Sequence, residues 1–408
     1  MFKIKPRGFV VLTLLCPAVL IILAPAYCSH VVAQTQQTTQ RPRRVGEAEQ
    51  SNVKKPGNAD SQDVDEGDVV RVETQLVSVP VVVTDVSGHP LSGLGPQNFQ
   101  IFEDGQQQQI ANFGKTDAPF EIALLLDTSG STREDVALIR DAANSFIEAL
   151  RPGDRVGVVA FNSVTEGTDK LATVEVLSQL TGDRQALRNA IDNLGSSNGT
   201  PYYDALLRVA DTIFRDSPTE EMRGRRAVVA LTDGVDSASQ TDFATVKTKL
   251  SNAGIACYFI QVNTEDFVED RLMKDCQDDN RLSLSQKQLQ RYRQIFVPAA
   301  KSEDYDNFCA MGQFERMSIS RELYSLARRE MNDLAKVSGG RSVVASNLSD
   351  ARAAFARIAA DIGTLYSIGY YPTNKQHDGK YRAIRLEVKG VKDKAQVRSR
   401  DGYYAPKG

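Results

Sequence analysis

A short run of oxygen-bearing side chains, Asp127-Thr128-Ser129-Gly130-Ser131, has the composition of a cation ligand set. It directly follows the apolar segment 122–126, which is typical of a buried strand, and it precedes a helical pattern. In an open parallel sheet, ligands bind at the carboxyl ends of the strands. One carboxylate and two hydroxyls at alternating positions suit Mg²⁺, Mn²⁺ or Ca²⁺ better than Zn²⁺.

Two further loops end at the same predicted sheet edge. Asn198-Gly199-Thr200-Pro201 precedes a helix, and Thr232-Asp233-Gly234 directly follows the apolar strand 227–231. Each piece alone has an ordinary structural explanation, because Ser131 suits a helix N-cap and Asp127 or Asp233 suits a turn. The agreement of three loops nevertheless favours one metal site.

These residues resemble the metal site of a known family. The run from Asp127 to Ser131 resembles the DxSxS motif of the von Willebrand factor type A family, with Thr200 and Asp233 at its threonine and second aspartate positions. The resemblance extends over about residues 69–406 to bacterial secreted VWFA-related proteins. It includes the turn Phe102-Glu103-Asp104-Gly105 and the ending Gly402-Tyr403-Tyr404-Ala405-Pro406. Residues 263–318 depart from a compact type A domain.

The resemblance implies a metal-ion-dependent adhesion site (MIDAS) that holds one divalent cation, Mg²⁺ first and Mn²⁺ or Ca²⁺ as alternatives. The ligands that it implies are Asp127, Ser129, Ser131, Thr200 and Asp233. It also implies that a carboxylate from a protein or extracellular-matrix ligand completes the coordination shell. The predicted function is therefore an extracytoplasmic, metal-dependent protein-binding or adhesion module. A structural subunit of a cell-envelope assembly stays open as an alternative.

A metal-dependent hydrolase is the less favoured alternative. A nucleophile needs a base beside it, and the sequence has no His between His89 and His377. We therefore predict a protein that is not an enzyme. The net charge of -3 and the lack of a basic groove with interleaved aromatic residues argue against a nucleic-acid partner.

Strands and helices alternate from residue 120 onward, and the strands are continuously apolar. This pattern predicts an α/β fold, a doubly wound, mostly parallel, Rossmann-like sheet with helices on both faces. The predicted strands are 122–126, 155–161, 227–231, 255–262 and 341–344, and the predicted helices are 133–150, 183–194, 203–214, 242–250, 322–337 and 348–362.

Short β patterns lie on either side of this α/β region. Neither residues 69–118 nor residues 364–408 are long enough for a good sandwich alone. We predict that they pack together, so that the α/β domain, residues 119–363, is inserted into one flanking β-sandwich. The chain ends of a doubly wound domain often lie close together, which makes such an insertion feasible.

Residues 263–318 interrupt the α/β pattern and are predicted to form a polar insertion on the sheet edge, with one helix near 285–295. The acidic stretch 265–279 lacks the spacing of a calcium loop, so we interpret it as a solvated loop. Secretion favours a disulfide between Cys276 and Cys309, with two free thiols as the alternative. Cys257, in an apolar strand, is expected to be a buried thiol.

The N-terminus has the form of a secretory signal. Lys3, Lys5 and Arg7 precede the apolar run 9–26. We expect cleavage after Ala33, which gives a signal peptide at 1–33 and a disordered linker at 34–68. An uncleaved membrane anchor and a lipoprotein attached through Cys28 are the alternatives. All three predict a secreted, periplasmic or cell-surface protein that contacts a membrane only through its N-terminal segment.

Overall fold

The computed structural model describes residues 76–132, 136–167, 169–219, 222–277, 282–391 and 394–407. The predicted signal peptide and linker lie outside these residues, and all the domain bounds given above remain predictions. Within the described ranges, no helix is both long and apolar enough to cross a bilayer.

The elements are numbered in chain order. The strands are β1 (Val77–Thr84), β2 (Phe99–Glu103), β3 (Gln106–Gln108), β4 (Ile110–Gly114), β5 (Glu121–Leu126), β6 (Arg155–Glu166), β7 (Asp169–Thr181), β8 (Arg226–Thr232), β9 (Ala256–Val262), β10 (Arg341–Ala345), β11 (Tyr366–Tyr370), β12 (Tyr381–Val388), β13 (Gln396–Ser399) and β14 (Gly402–Tyr404). The helices are α1 (Val136–Ala149), α2 (Arg184–Asp192), α3 (Tyr202–Arg208), α4 (Phe243–Asn252), α5 (Glu265–Leu272), α6 (Gln286–Phe296), α7 (Gln313–Ser338) and α8 (Ala351–Ile362).

A six-stranded sheet forms the centre of the α/β region, in the order β10-β9-β8-β5-β6-β7. All its neighbouring strands are parallel except β6 and β7, which are antiparallel. Every residue of β5, β8 and β9 is buried. The reason is that helices α1, α2 and α8 pack on one face and helices α3, α4 and α7 on the other. The predicted doubly wound sheet is confirmed.

The flanking β segments form two antiparallel sheets that share one core. The first has the order β13-β1-β11-β4, and the second has the order β14-β12-β2-β3. Strand β1 lies between two strands from the C-terminal segment, β11 and β13. Both segments supply the core, with side chains that include Val79, Val81, Phe99, Ile101, Tyr366, Ile368 and Tyr370. The predicted insertion of the α/β region into a flanking β-sandwich is confirmed.

A buried arginine holds the two chain crossings between the sandwich and the α/β region. The guanidinium of Arg225 is fully buried. On the incoming crossing it donates to the carbonyls of Pro119, at 2.8 Å, and Lys115, at 2.9 Å. On the outgoing crossing it donates to the carbonyl of Leu365 at 3.2 Å. Arg225 is not among the residues predicted from the sequence.

The insertion differs from its prediction in three ways. It carries a second helix, because residues 265–272 form α5 instead of a solvated acidic loop. It ends earlier than expected, because α7 begins at Gln313 and not near residue 322. It also contributes Leu284, Leu289 and Phe308 to the core on one face of the sheet, so an insertion confined to the sheet edge is wrong.

Other sequence-based expectations can be checked directly. The disulfide between Cys276 and Cys309 is present, and Cys257 is a buried free thiol. Both predictions are confirmed. Strand β7 was not predicted, although it forms a long hairpin with β6.

Candidate metal site

The carboxyl edge of the central sheet brings together the loops that carry the predicted ligands. The Asp127 N–H donates to the Leu231 carbonyl at 3.0 Å, which joins the ends of β5 and β8. The Ser197 N–H donates to the Thr128 carbonyl at 2.9 Å, which holds the loop before α3 against the same point. Parallel strands end at a common edge, so residues distant in sequence meet here.

Four of the five predicted ligands form a chain of close contacts. Asp127 is fully buried, and its Oδ1 accepts from the Ser129 N–H at 2.9 Å. The hydroxyl oxygens of Ser129 and Ser131 are 3.4 Å apart. Ser131 Oγ then donates to Asp233 Oδ2 at 2.7 Å. The structure therefore places Asp127, Ser129, Ser131 and Asp233 in one cluster.

This oxygen cluster fits a hard divalent cation. Neighbouring ligand oxygens of an octahedral Mg²⁺ lie about 3 Å apart, since each is about 2.1 Å from the ion. The separations of 3.4 Å and 2.7 Å from Ser131 Oγ to Ser129 Oγ and Asp233 Oδ2 bracket that value. The described residues contain no group of three or more His, Cys, Asp or Glu side chains able to hold a metal ion. Hydroxyls would therefore have to complete the shell around the two carboxylates.

The charge of the cluster also fits a cation. Among the described residues, no ion pair includes Asp127 or Asp233. Burial, and then the negative charge of Asp233, raise the pKa of Asp127 well above its usual range. Two buried carboxylates without a basic partner are costly, and a divalent cation would offset that cost.

Thr200 lies on the third loop of the predicted site, but its side chain is not joined to the cluster. Its N–H donates to Ser237 Oγ at 2.8 Å, and its carbonyl accepts from the Ser237 N–H at 3.0 Å. The hydrogen bonds found for Thr200 are thus made by its backbone. Its role as a ligand remains a prediction from the sequence.

Three residues that the sequence analysis did not select also contact the two carboxylates. Thr232 Oγ1 donates to Asp127 Oδ2 at 2.6 Å. Thr264 Oγ1 donates to Asp233 Oδ2 at 2.7 Å, and the Tyr324 hydroxyl lies 3.4 Å from the same oxygen. Thr264 follows β9, so the strand-end rule that selected Asp127 would also have placed it at this edge. Nothing in the sequence around Tyr324 indicates its position.

Residues 122–235 match the family model described as the von Willebrand factor type A domain. The matched range runs from β5 past Asp233, so it includes all five predicted ligands. Residues 122–235 of the chain therefore form a von Willebrand factor type A domain. Comparison with curated proteins finds no match.

Several solved structures are similar at low identity. The von Willebrand factor type A protein from Catenulispora acidiphila is 12% identical, with a TM-score of 0.37, over 81% of this chain and 74% of that one. The pilus adhesin SpaC from Lactobacillus rhamnosus GG, in its open conformation, is 12% identical, with a TM-score of 0.36, over 79% of this chain and 49% of that one. The SpRpn10 VWA domain is 14% identical, with a TM-score of 0.33, over 57% of this chain and 93% of that one.

Proposed function

We propose that this chain is an extracytoplasmic binding protein with a MIDAS-type site for one divalent cation, Mg²⁺ first. Asp127, Ser129, Ser131, Thr200 and Asp233 would hold the cation. The observation that carries the proposal is the cluster at the carboxyl edge. It combines two buried carboxylates, for which the described residues offer no ion pair, with two serine hydroxyls. Mn²⁺ and Ca²⁺ are the alternative cations, because they prefer the same oxygen ligands.

The partner in this proposal is a protein or extracellular-matrix ligand that offers a carboxylate. Five side-chain ligands leave one position of an octahedral shell open. Ser131 is only partly buried, so the cluster is open to solvent on its side. Asp127 and Asp233 carry at most two negative charges, so a bound divalent cation would still attract an anionic group there.

We place the protein outside the cytoplasm as part of the same proposal. The disulfide between Cys276 and Cys309 supports this location, because disulfides persist in oxidising compartments. The signal-like sequence at residues 1–33 is the second support.

The proposal also treats the chain as a binding protein and not as an enzyme. The support is the sequence, which has no His between His89 and His377 and so places no His base near either serine in the chain. The function of the two serines would thus be to bind a cation and not to attack a substrate.

Titration calorimetry of Mg²⁺, Mn²⁺ and Ca²⁺ into the metal-stripped chain tests the proposal. We expect saturable binding to one site in the parent and none in Asp127→Asn, since this substitution keeps the shape of the side chain but removes its charge. The matched control is Asp236→Asn, which neutralises another largely buried carboxylate of the same edge and should leave binding intact.

Partner binding is tested in the same proteins. Immobilised parent should retain a carboxylate-bearing ligand in Mg²⁺ and release it when a chelator is added. Absence of saturable cation binding in the parent, or equal binding in the parent and Asp127→Asn, would refute the proposed site.

A further inference from the structure

We propose that Thr264, at the start of the insertion, and Tyr324, on α7, are positioning residues that hold Asp233 in place and so set the cation affinity of the site. This inference rests on the proposed metal site. It concerns residues outside the five predicted ligands, and both act through Asp233.

The direction of the hydrogen bonds can be assigned from the number of protons available. Thr264 Oγ1 has one proton, and it donates that proton to Asp233 Oδ2 at 2.7 Å. The Tyr324 hydroxyl, 2.7 Å from Thr264 Oγ1, must therefore be the donor of the bond between them. Ser131 reaches the same Asp233 oxygen from the other side. The result is a continuous chain from Tyr324 through Thr264 and Asp233 to Ser131.

Thr264 is held firmly by the elements on both sides of it. It follows β9, and the neighbouring Asn263 N–H donates to the Ala345 carbonyl of β10 at 3.2 Å. Its own carbonyl accepts from the Val268 N–H at 3.0 Å, in the first turn of α5. The side chain is buried. A fixed hydroxyl of this kind can orient a carboxylate without loss of side-chain entropy when the cation binds.

Helices α5 and α7 form one unit that carries both hydroxyls. Glu265 on α5 pairs with Arg328 on α7 at 2.8 Å. Glu269 accepts both a 2.5 Å and a 2.9 Å hydrogen bond from Arg321. The disulfide between Cys276 and Cys309 joins the segment after α5 to the segment before α7. Displacement of either helix would therefore move a hydroxyl that contacts Asp233.

The physical role of the pair is orientation. A carboxylate that accepts two hydroxyl protons on one oxygen has that oxygen fixed, and its other oxygen already accepts from the Val235 N–H at 3.1 Å. With Thr264 removed, Asp233 would be free to turn away from Ser131. Loss of a hydrogen-bond partner that orients a metal ligand typically lowers metal affinity about 10- to 100-fold.

Calorimetric titration of Mg²⁺ and Mn²⁺ into the full chain tests the inference with four variants. We expect Thr264→Val to lose about 10- to 100-fold in affinity. Tyr324→Phe should show a smaller loss in the same direction, because Thr264 can still donate. Thr264→Ser should restore affinity, because it keeps the hydroxyl. Tyr366→Phe is the matched control, since Tyr366 donates to the Leu91 carbonyl in the sandwich.

The melting temperature of each metal-free variant separates positioning from folding. A purely structural role would lower that temperature while leaving the cation affinity of the folded protein unchanged, and Thr264→Ser would then bind no more tightly than Thr264→Val. Parental affinity in folded Thr264→Val would overturn this inference and leave the proposed metal site standing. A parent without cation binding would overturn both.

Discussion

The loop after Asp233 holds one more largely buried carboxylate, Asp236. Its Oδ1 accepts from the Tyr202 N–H at 3.0 Å. Burial raises the pKa of Asp236 to about 6, against opposing contributions from Ser239, from the positive charge of Arg291, and from backbone hydrogen bonds. The folded protein therefore holds a proton on Asp236 over a pH range in which the unfolded chain has already lost it.

This difference predicts a pH-dependent stability. Because the folded pKa of about 6 lies above the unfolded value of about 4, the contribution of Asp236 to stability falls as the pH rises from about 4 to 6. Asp236→Asn removes that loss, so it should be more stable than the parent by less than about 1 kcal/mol at pH 4.5 and by up to about 3 kcal/mol at pH 7.5. Urea unfolding at the two pH values measures the difference. An equal effect at both would contradict the assigned shift.

The meeting of Asp127 and Asp233 at one sheet edge could be predicted for a simple reason. Asp127 and Asp233 directly follow two buried strands, and the rule that parallel strands share one carboxyl edge brings their loops together. Thr264 meets the same rule, but its bond to Asp233 depends on the turn into α5. Tyr324 lies 91 residues from Asp233, and its contact depends on how α7 packs against the sheet. Packing of that kind leaves no local pattern in the sequence.

Among the elements, the two crossings between sandwich and α/β region depend on Arg225. Its donors bind the backbone carbonyls of Pro119, Lys115 and Leu365. A buried carbonyl that loses its partner costs about 1–3 kcal/mol. The guanidinium also lies over the Phe120 ring, 4.3 Å from its centroid.

Arg225→Met should therefore lower the free energy of unfolding by about 2–4 kcal/mol. Chemical denaturation of the variant and the parent measures the loss. Arg188→Met is the comparison, because Arg188 and Glu148 are 37% and 66% exposed and their ion pair at 4.0 Å is worth at most about 1 kcal/mol. Similar losses for the two variants would show that Arg225 does not hold the crossings.

Several elements were not predicted, and the reasons are physical. Helix α7 begins at Gln313, nine residues before the predicted start at residue 322. Its first turn is hard to recognise from the sequence, because the apolar Phe314 is 76% exposed and does not mark a buried face. The acidic composition of α5 predicts a loop, whereas in the structure Glu265 and Glu269 pair with Arg328 and Arg321 of the distant helix α7. Strands such as β8 could be predicted without knowledge of distant contacts, because their continuous apolar residues are a local pattern.

At the scale of the whole molecule, the sandwich depends on strands from both segments of the chain. Deletion of residues 364–408 should leave β1 without both of its neighbours, β11 and β13. We expect the remaining residues 76–114 to become sensitive to protease, because strands without partners do not hold a core. Limited proteolysis with mass spectrometry measures this. Protection of residues 76–114 in the shortened chain would mean that they fold without the C-terminal strands.

Because β1 pairs with β11 and β13, it must wait during synthesis until these later strands are made. The ribosome completes β1 at Thr84 but does not reach Tyr366, the start of β11, until some 280 residues later. At about 5–20 residues per second, that interval is roughly 15 to 60 seconds. For that time a valine-rich strand has no partner on either edge, a state in which strands from different molecules pair with one another. A cell that makes this protein must therefore keep newly made copies apart until the last strands are made.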